Sequence, residues 1–298
     1  MTDHPFAGVY PAMTTPFHED GSIDHESLRA EARRLADAGV DGLVPAGSTG
    51  EAATLTHDEH IEVVDTVIDE VDVPVFAGAG SNSTREAVSL SERAEAAGAD
   101  ALLHLSPYYN KPEPAGMEHH YRRIADAVDI DVILYNVPSR TGRNIDIDTA
   151  VTLASHDNVT GYKAASGDMG RISQVIERTR DEEFTVLSGD DGMTYPILAT
   201  GGSGVISVSA NVAPEPHVEL VHAALEDDYA RARELHHELA PLFRAMFMET
   251  NPIPVKEAVH RLYDRPPHVR PPLTRLDESN RDELEGELEP YRPENVSV

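Results

Sequence analysis

The chain contains only three lysines, Lys111, Lys163 and Lys256. Lys163 stands inside an apolar run, VTGYKA. An amine enclosed in a dry interior loses proton affinity and becomes a neutral nucleophile, able to attack a ketone and form a Schiff base. The same placement would also suit a lysine held by a buried carboxylate. Lys111 precedes a proline in a loop and Lys256 opens a late helix, so both are weaker candidates. A Schiff-base amine needs a proton shuttle. Tyr135 ends the run DVILYN, and Ser48, Thr49 and Tyr109 can extend a chain of hydroxyls. The turn 47–50 (GSTG) offers backbone N–H groups to a carboxylate, or is a tight turn with a capping hydroxyl. Arg140 suits a second carboxylate through bidentate pairing, or is a surface arginine.

Other constellations are less pointed. His57 and His60 sit three residues apart, not at the spacing of a zinc-protease helix, and no metal is expected. His119-His120 and His236-His237 fall on helix faces expected to be solvated. Asp190-Asp191 could hold a divalent ion or support general acid chemistry, but fit a helix cap better. The glycines of 201–204 (GGSG) could receive a phosphate or form a turn.

These residues must be carried by elements that bring them together. Short β-like runs alternate with longer stretches of helical period. The expected strands are 8–15, 42–46, 73–78, 101–106, 131–136, 159–164, 184–188 and 204–208. The expected helices between them are 24–38, one capped by Thr56, then 83–97, 115–128, 147–154, 171–180, 192–199 and 216–224. Thr56 followed by Glu59 is a capping box. Eight β-then-α units predict a parallel (β/α)8 TIM barrel over 1–225. An open doubly wound sheet is disfavoured, because no Gly-x-Gly-x-x-Gly turn follows the first strand. Helices at 229–248, 254–262 and 278–288 form an extension, 226–298. In such a barrel the candidate residues all lie at the C-terminal ends of strands, at one mouth.

The net charge is −29, with 53 acidic against 24 basic residues. Such a surface repels nucleic-acid phosphates and anionic membranes. At ~1 M salt the Debye length falls to ~3 Å and self-repulsion is largely screened. The acid-rich, lysine-poor composition therefore reads as halophilic. Cysteine is absent, which excludes disulfide frameworks and thiol nucleophiles. No apolar run is long enough for a membrane span, and the start of the chain lacks a signal-peptide pattern, so a cytoplasmic location is expected.

Seven blocks in order, GSTGEAATLTHDEH, SPYYNKP, LYNVPSRTG, GYKAASG, LSGDD, GVISV and NPIPVKEA, resemble the dihydrodipicolinate synthase / N-acetylneuraminate lyase superfamily of pyruvate-dependent class I aldolases. YNVPSRTG points to the synthase branch. The resemblance implies aldol condensation of pyruvate with aspartate semialdehyde in lysine and diaminopimelate biosynthesis, with no cofactor. It implies Lys163 as the Schiff-base residue, Tyr135 as general acid/base, and Ser48 and Tyr109 as the relay, Tyr109 crossing a dimer interface. Thr49 would hold the pyruvate carboxylate and Arg140 that of the aldehyde substrate. Gly189 and Ile206 would line the pyruvate pocket. A homotetramer is implied, as is an L-lysine effector site at Ala52, Ala53, His57, His60, Asn82, Glu86 and Tyr108. Ser48, Ala164 and Arg275 depart from the usual synthase pattern and bear on substrate choice. The competing reading is a 2-keto-3-deoxygluconate (or phosphate) aldolase using the same Lys163 and Tyr135. Arg140 argues against it, since a sugar acid has little need of a second carboxylate clamp.

Overall fold

The computed structural model describes residues 6–292; the outermost positions of the spans 1–225 and 226–298 lie outside it. Seven parallel strands are hydrogen-bonded in the order β1-β7-β6-β5-β4-β3-β2. They are β1 (Gly8–Pro11), β2 (Phe76–Gly78), β3 (Ala101–Leu105), β4 (Asp131–Asn136), β5 (Val159–Ala164), β6 (Thr185–Ser188) and β7 (Gly204–Ser207). The helices between them are α1 (His25–Asp37), α2 (His57–Ile68), α3 (Thr84–Ala97), α4 (Pro114–Ala125), α5 (Pro138–Thr141), α6 (Ile147–Ala154), α7 (Met169–Thr179), α8 (Thr194–Leu198) and α9 (Pro214–Leu225). The extension adds α10 (Tyr229–Ala245), α11 (Ile253–Tyr263) and α12 (Glu278–Leu288).

The strand expected at 42–46 is reduced to two parallel bridges, Ala12 with Val44 and Leu43 with Val75. They still close the ring. Val44 N donates to Pro11 O at 2.9 Å on one side, and Leu43 N donates to Pro74 O at 2.8 Å on the other. Pro45 has no N–H to continue the ladder, and Ala46, at φ 53°, turns the chain out of the extended conformation. Gly42 allows the close approach, since a Cβ there would stand 2.6 Å from Pro74 O. Seven strands and one two-residue stave thus make the expected (β/α)8 barrel.

Side chains alternate across each stave. Tyr10, Phe76, Leu103, Ile133, Tyr135, Leu187 and Ile206 form the barrel interior. Val9, Leu102, Val132, Leu134, Tyr162, Val186 and Val205 join the layer under the helices. Two cores of period two are what a barrel wrapped in helices requires. Tyr10 stacks on Phe76 at 4.4 Å and Phe6 meets Phe76 edge-on at 4.9 Å. The interior is therefore packed below the mouth.

Local chemistry sets the helix ends. Asp24 accepts from Ser27 N to start α1. Thr56 and Glu59 form the expected capping box on α2. One expectation is corrected, and one pair of alternatives is decided in favour of the turn. His120 is buried, because Met117, His120, Tyr121 and Ile124 form one inward stripe of α4; only His119 of that pair is exposed. The glycine turn 201–204 leads from α8 into β7, at the N-terminal ends of the strands. Its Ser203 N donates to Val186 O at 3.0 Å, and Ser203 O accepts from Gly8 N at 2.9 Å. It lies at the far end of the barrel from the mouth and cannot hold a phosphate there.

Candidate active site

Lys163 on β5 pairs in register with Tyr135 on β4. Their shared parity turns both side chains into the barrel. The amine lies 4.3 Å from the Tyr135 ring centre, and Lys163 is 5% exposed. Burial pulls the amine down from its usual value to about 7; Arg140 lowers it further, while Asp191 opposes the shift. Burial pushes the Tyr135 phenol up to about 12, so it is a neutral donor near pH 7. Lys163 is thus poised to be neutral where an ordinary lysine is fully charged. Gly189, after β6, makes room for it. A Cβ there would stand 2.8 Å from Lys163 Cγ and 2.9 Å from Cε.

Above the amine opens a cavity of about 840 Å³, lined by Lys163, Tyr135, Ser48, Thr49, Arg140 and Gly189. Ala52, Ala53, His57, His60, Glu86 and Tyr108 also line it. Three expected residues are not on this wall. Ile206 packs in the interior core with Tyr135. Asn82 offers its carbonyl to Asn110 Nδ2 at 3.3 Å. Tyr109 is 88% exposed, at φ 65°, and reaches away from its own chain's cavity. His60 Nε2 contacts Gly78 O, and Ser81 Oγ donates to Glu86 Oε2 at 2.9 Å. Among the described residues no three His, Asp or Glu side chains gather as metal ligands.

The extension completes the mouth, which sequence reasoning missed. Asn251 Nδ2 donates to Thr49 Oγ1 at 2.9 Å, and Asn251 O accepts from Arg140 Nη2 at 2.9 Å. One residue thereby ties together the two elements expected to bind carboxylates. Beneath the 47–50 turn, Lys256 Nζ donates to Glu51 Oε1 at 2.6 Å. The run NPIPVKEA was visible in the sequence, but nothing local in it specifies partners about 200 residues away.

The sequence profile of the dihydrodipicolinate synthetase family matches residues 5–290. The chain belongs to that family. A 4-hydroxy-tetrahydrodipicolinate synthase of Haloarcula marismortui is 63% identical over 297 residues, covering 99% of this chain and 97% of the relative. One from Natronomonas pharaonis is 63% identical over 285 residues, covering 95% and 97%. Among solved structures, the dihydrodipicolinate synthase of Aquifex aeolicus superposes with a TM-score of 0.94 at 43% identity, over 96% of this chain and 98% of that one. The chloride-inhibited synthase of Acinetobacter baumannii, solved with pyruvate, gives 0.93 at 40% identity, over 95% and 98%. That of Cyanidioschyzon merolae, solved with lysine bound, gives 0.92 at 36% identity, over 96% and 98%. Family members carry this barrel, so the fold and the family agree. No helix among the described residues is long and apolar enough to cross a membrane.

Proposed function

We propose that the chain condenses pyruvate with L-aspartate 4-semialdehyde to 4-hydroxy-tetrahydrodipicolinate through a Schiff base on Lys163, in the diaminopimelate route to lysine. The observation that carries the reading is a nearly enclosed amine, lowered to about 7, facing a neutral phenol at the floor of the cavity. The neutral Lys163 nitrogen adds to the pyruvate ketone. The Tyr135 O–H gives its proton to the carbinolamine oxygen, which leaves as water and produces the iminium. Loss of a methyl proton gives the enamine, whose carbon attacks the aldehyde and takes a proton at the new alkoxide. The substrate's own amine then displaces the Lys163 nitrogen, closing the ring and freeing the lysine.

In this reading Thr49 and the 47–50 backbone hold the pyruvate carboxylate, and Arg140 takes the carboxylate of the second substrate. Gly189 keeps the amine's path open, and Ile206 supports the floor from below. Ser48 passes protons to Tyr109 contributed by a second copy, whose exposure in its own chain is consistent with such an exchange in a homotetramer. Ala52, Ala53, His57, His60, Asn82, Glu86 and Tyr108 form the L-lysine effector site, where Glu86 would meet an ammonium. The 1–225 barrel carries the chemistry and the 226–298 extension braces its mouth. The protein works in a salt-rich cytoplasm, away from nucleic acid and membrane surfaces.

The decisive experiment is borohydride reduction in the presence of pyruvate, followed by mapping of the adduct. A three-carbon tag on Lys163 is expected; active enzyme with no tag there rules the mechanism out. Turnover with aspartate semialdehyde but not glyceraldehyde separates the synthase from a sugar-acid aldolase.

A further inference from the structure

We propose that Asn251 is a positioning residue that dedicates the Thr49 hydroxyl to the pyruvate carboxylate. The inference rests on the reading that Thr49 and the 47–50 backbone hold that carboxylate. Asn251 stands in the segment joining α10 to α11, 202 positions from Thr49. Both residues line the cavity, and they are 6% and 3% exposed. Asn251 acts through Thr49 rather than on the substrate itself.

A hydroxyl carries one proton and two lone pairs, whereas an amide nitrogen only donates. Asn251 Nδ2 donates to Thr49 Oγ1 at 2.9 Å. This bond occupies a lone pair of Thr49 and leaves its proton uncommitted. No protein acceptor among the described residues takes that proton. It is free for an anionic oxygen entering the cavity, as a charge-assisted bond. The other end of the amide supports this assignment. Asn251 Oδ1 is buried without a hydrogen-bond partner. An idle buried acceptor is costly, and a residue retained in spite of that cost has its task elsewhere in the side chain. The task is the Nδ2 bond.

A donor orients a hydroxyl only if it is itself fixed. Asn251 O accepts from Arg140 Nη2 at 2.9 Å, and Ile253 N donates to Thr250 O at 2.9 Å beside it. Further along α11, Lys256 Nζ donates to Glu51 Oε1 at 2.6 Å. α11 and the residues leading into it thus hold the turn at two points, Thr49 and Glu51. Thr15 Oγ1 adds a third hold, donating to Gly50 O at 2.7 Å. Asn251 divides its work between two parts of the residue. Its side chain serves Thr49, on the pyruvate side. Its backbone carbonyl serves Arg140, on the side of the aldehyde substrate. A side-chain substitution therefore removes the first contact and spares the second.

Asn251→Leu keeps the bulk of the side chain and removes its donor. The experiment measures, on the full-length chain, borohydride trapping against pyruvate concentration, and turnover against aspartate semialdehyde at saturating pyruvate. Half-saturating pyruvate is expected to rise about tenfold, as one charge-assisted bond loses its aim. Half-saturating aldehyde is expected to stay within about twofold, because the carbonyl that holds Arg140 is untouched. Thr49→Val removes the hydroxyl itself, and adding Asn251→Leu to it is expected to change half-saturating pyruvate by less than about twofold. Three results each overturn the proposal: pyruvate saturation within about twofold of the native chain in Asn251→Leu, equal losses for both substrates, or effects that multiply in the double variant. If Asn251→Leu does not fold, Asn251→Asp takes its place. Able only to accept, the new carboxylate captures the Thr49 proton, and near-native pyruvate saturation in that variant overturns the proposal. The underlying reading is judged separately: a native chain that traps no pyruvate refutes the Lys163 mechanism, and native-like saturation in Thr49→Val refutes the role of Thr49.

Discussion

Removing the Lys256 amine leaves a carboxylate stranded inside the protein. Lys256 Nζ and Glu51 Oε1 are 2.6 Å apart, with side chains 2% and 0% exposed. The amine also donates to His268 O and lies 4.3 Å from the Phe17 ring centre. Lys256→Met preserves most of the stem's bulk but leaves Glu51 with the Arg270 N–H on Oε2 and no cation on Oε1. Breaking one side of a buried pair costs ~3–5 kcal/mol. At an unfolding entropy of ~2.1 cal/mol/K per residue, a chain of 298 residues loses ~5–8 °C in Tm. Glu51→Met with Lys256→Met recovers most of that loss, since an apolar pair of similar volume avoids the desolvation cost. The cycle, read by circular-dichroism melting, is expected to give a coupling of ~2 kcal/mol or more. Because the pair is enclosed, the coupling persists where the Debye length is ~3 Å. A Lys256→Met variant that melts within ~2 °C of the native chain, equivalent to ~1 kcal/mol, would refute the reasoning.

Pyruvate adduct formation is expected to rise with pH through a midpoint near 7, because only the neutral Lys163 amine adds to the ketone and burial sets it at about 7; a midpoint near that of a free lysine contradicts this. Gly189→Ala drives a Cβ into the Lys163 stem at 2.8 Å, and displacing the amine by ~1 Å is expected to cost about 100-fold in kcat; steady-state kinetics unchanged beside the native enzyme would show that the stem has room. Burial holds His104 at about 3 and His120 at about 4. Both must gain a proton on unfolding, so their stabilisation is full above ~6.5 and falls as pH drops toward those values, by ~2 kcal/mol each at pH 5. His104→Gln should flatten the fall in Tm between pH 7 and 5, and parallel curves would count against it. With a net charge of −29, Tm is expected to climb steeply with KCl up to ~1 M and beyond; full stability in dilute buffer disproves the halophilic reading.

Some of this architecture is written locally. The runs 131–136, 147–154, 159–164 and 278–288 match strands and helices residue for residue, because period two and period 3.6 are properties of the neighbouring side chains. Thr56 and Glu59 cap α2 through atoms three residues apart. Lys163 stood out because a charged residue in an apolar strand conflicts with its surroundings unless it has a task. The His120 error was also local: the spacing Met117, His120, Tyr121, Ile124 already described a buried stripe of α4.

What the chain alone determined, then, was the alternation of strand and helix, the parity that turns Lys163 and Tyr135 to one side, and the acidic surface. What only the tertiary structure decided was every pairing made when the barrel closed. Asn251 reaches Thr49 across 202 positions, Lys256 reaches Glu51 across 205, and Asp191 finds Ser209 on the neighbouring strand end. The shortened stave at 43–44 and the position of the 201–204 turn at the wrong end of the barrel also depend on that closure. The reason is physical: periodicity fixes which way a side chain points from its own backbone, but the partner it meets is set by ring closure and by the packing of helices returning from distant sequence.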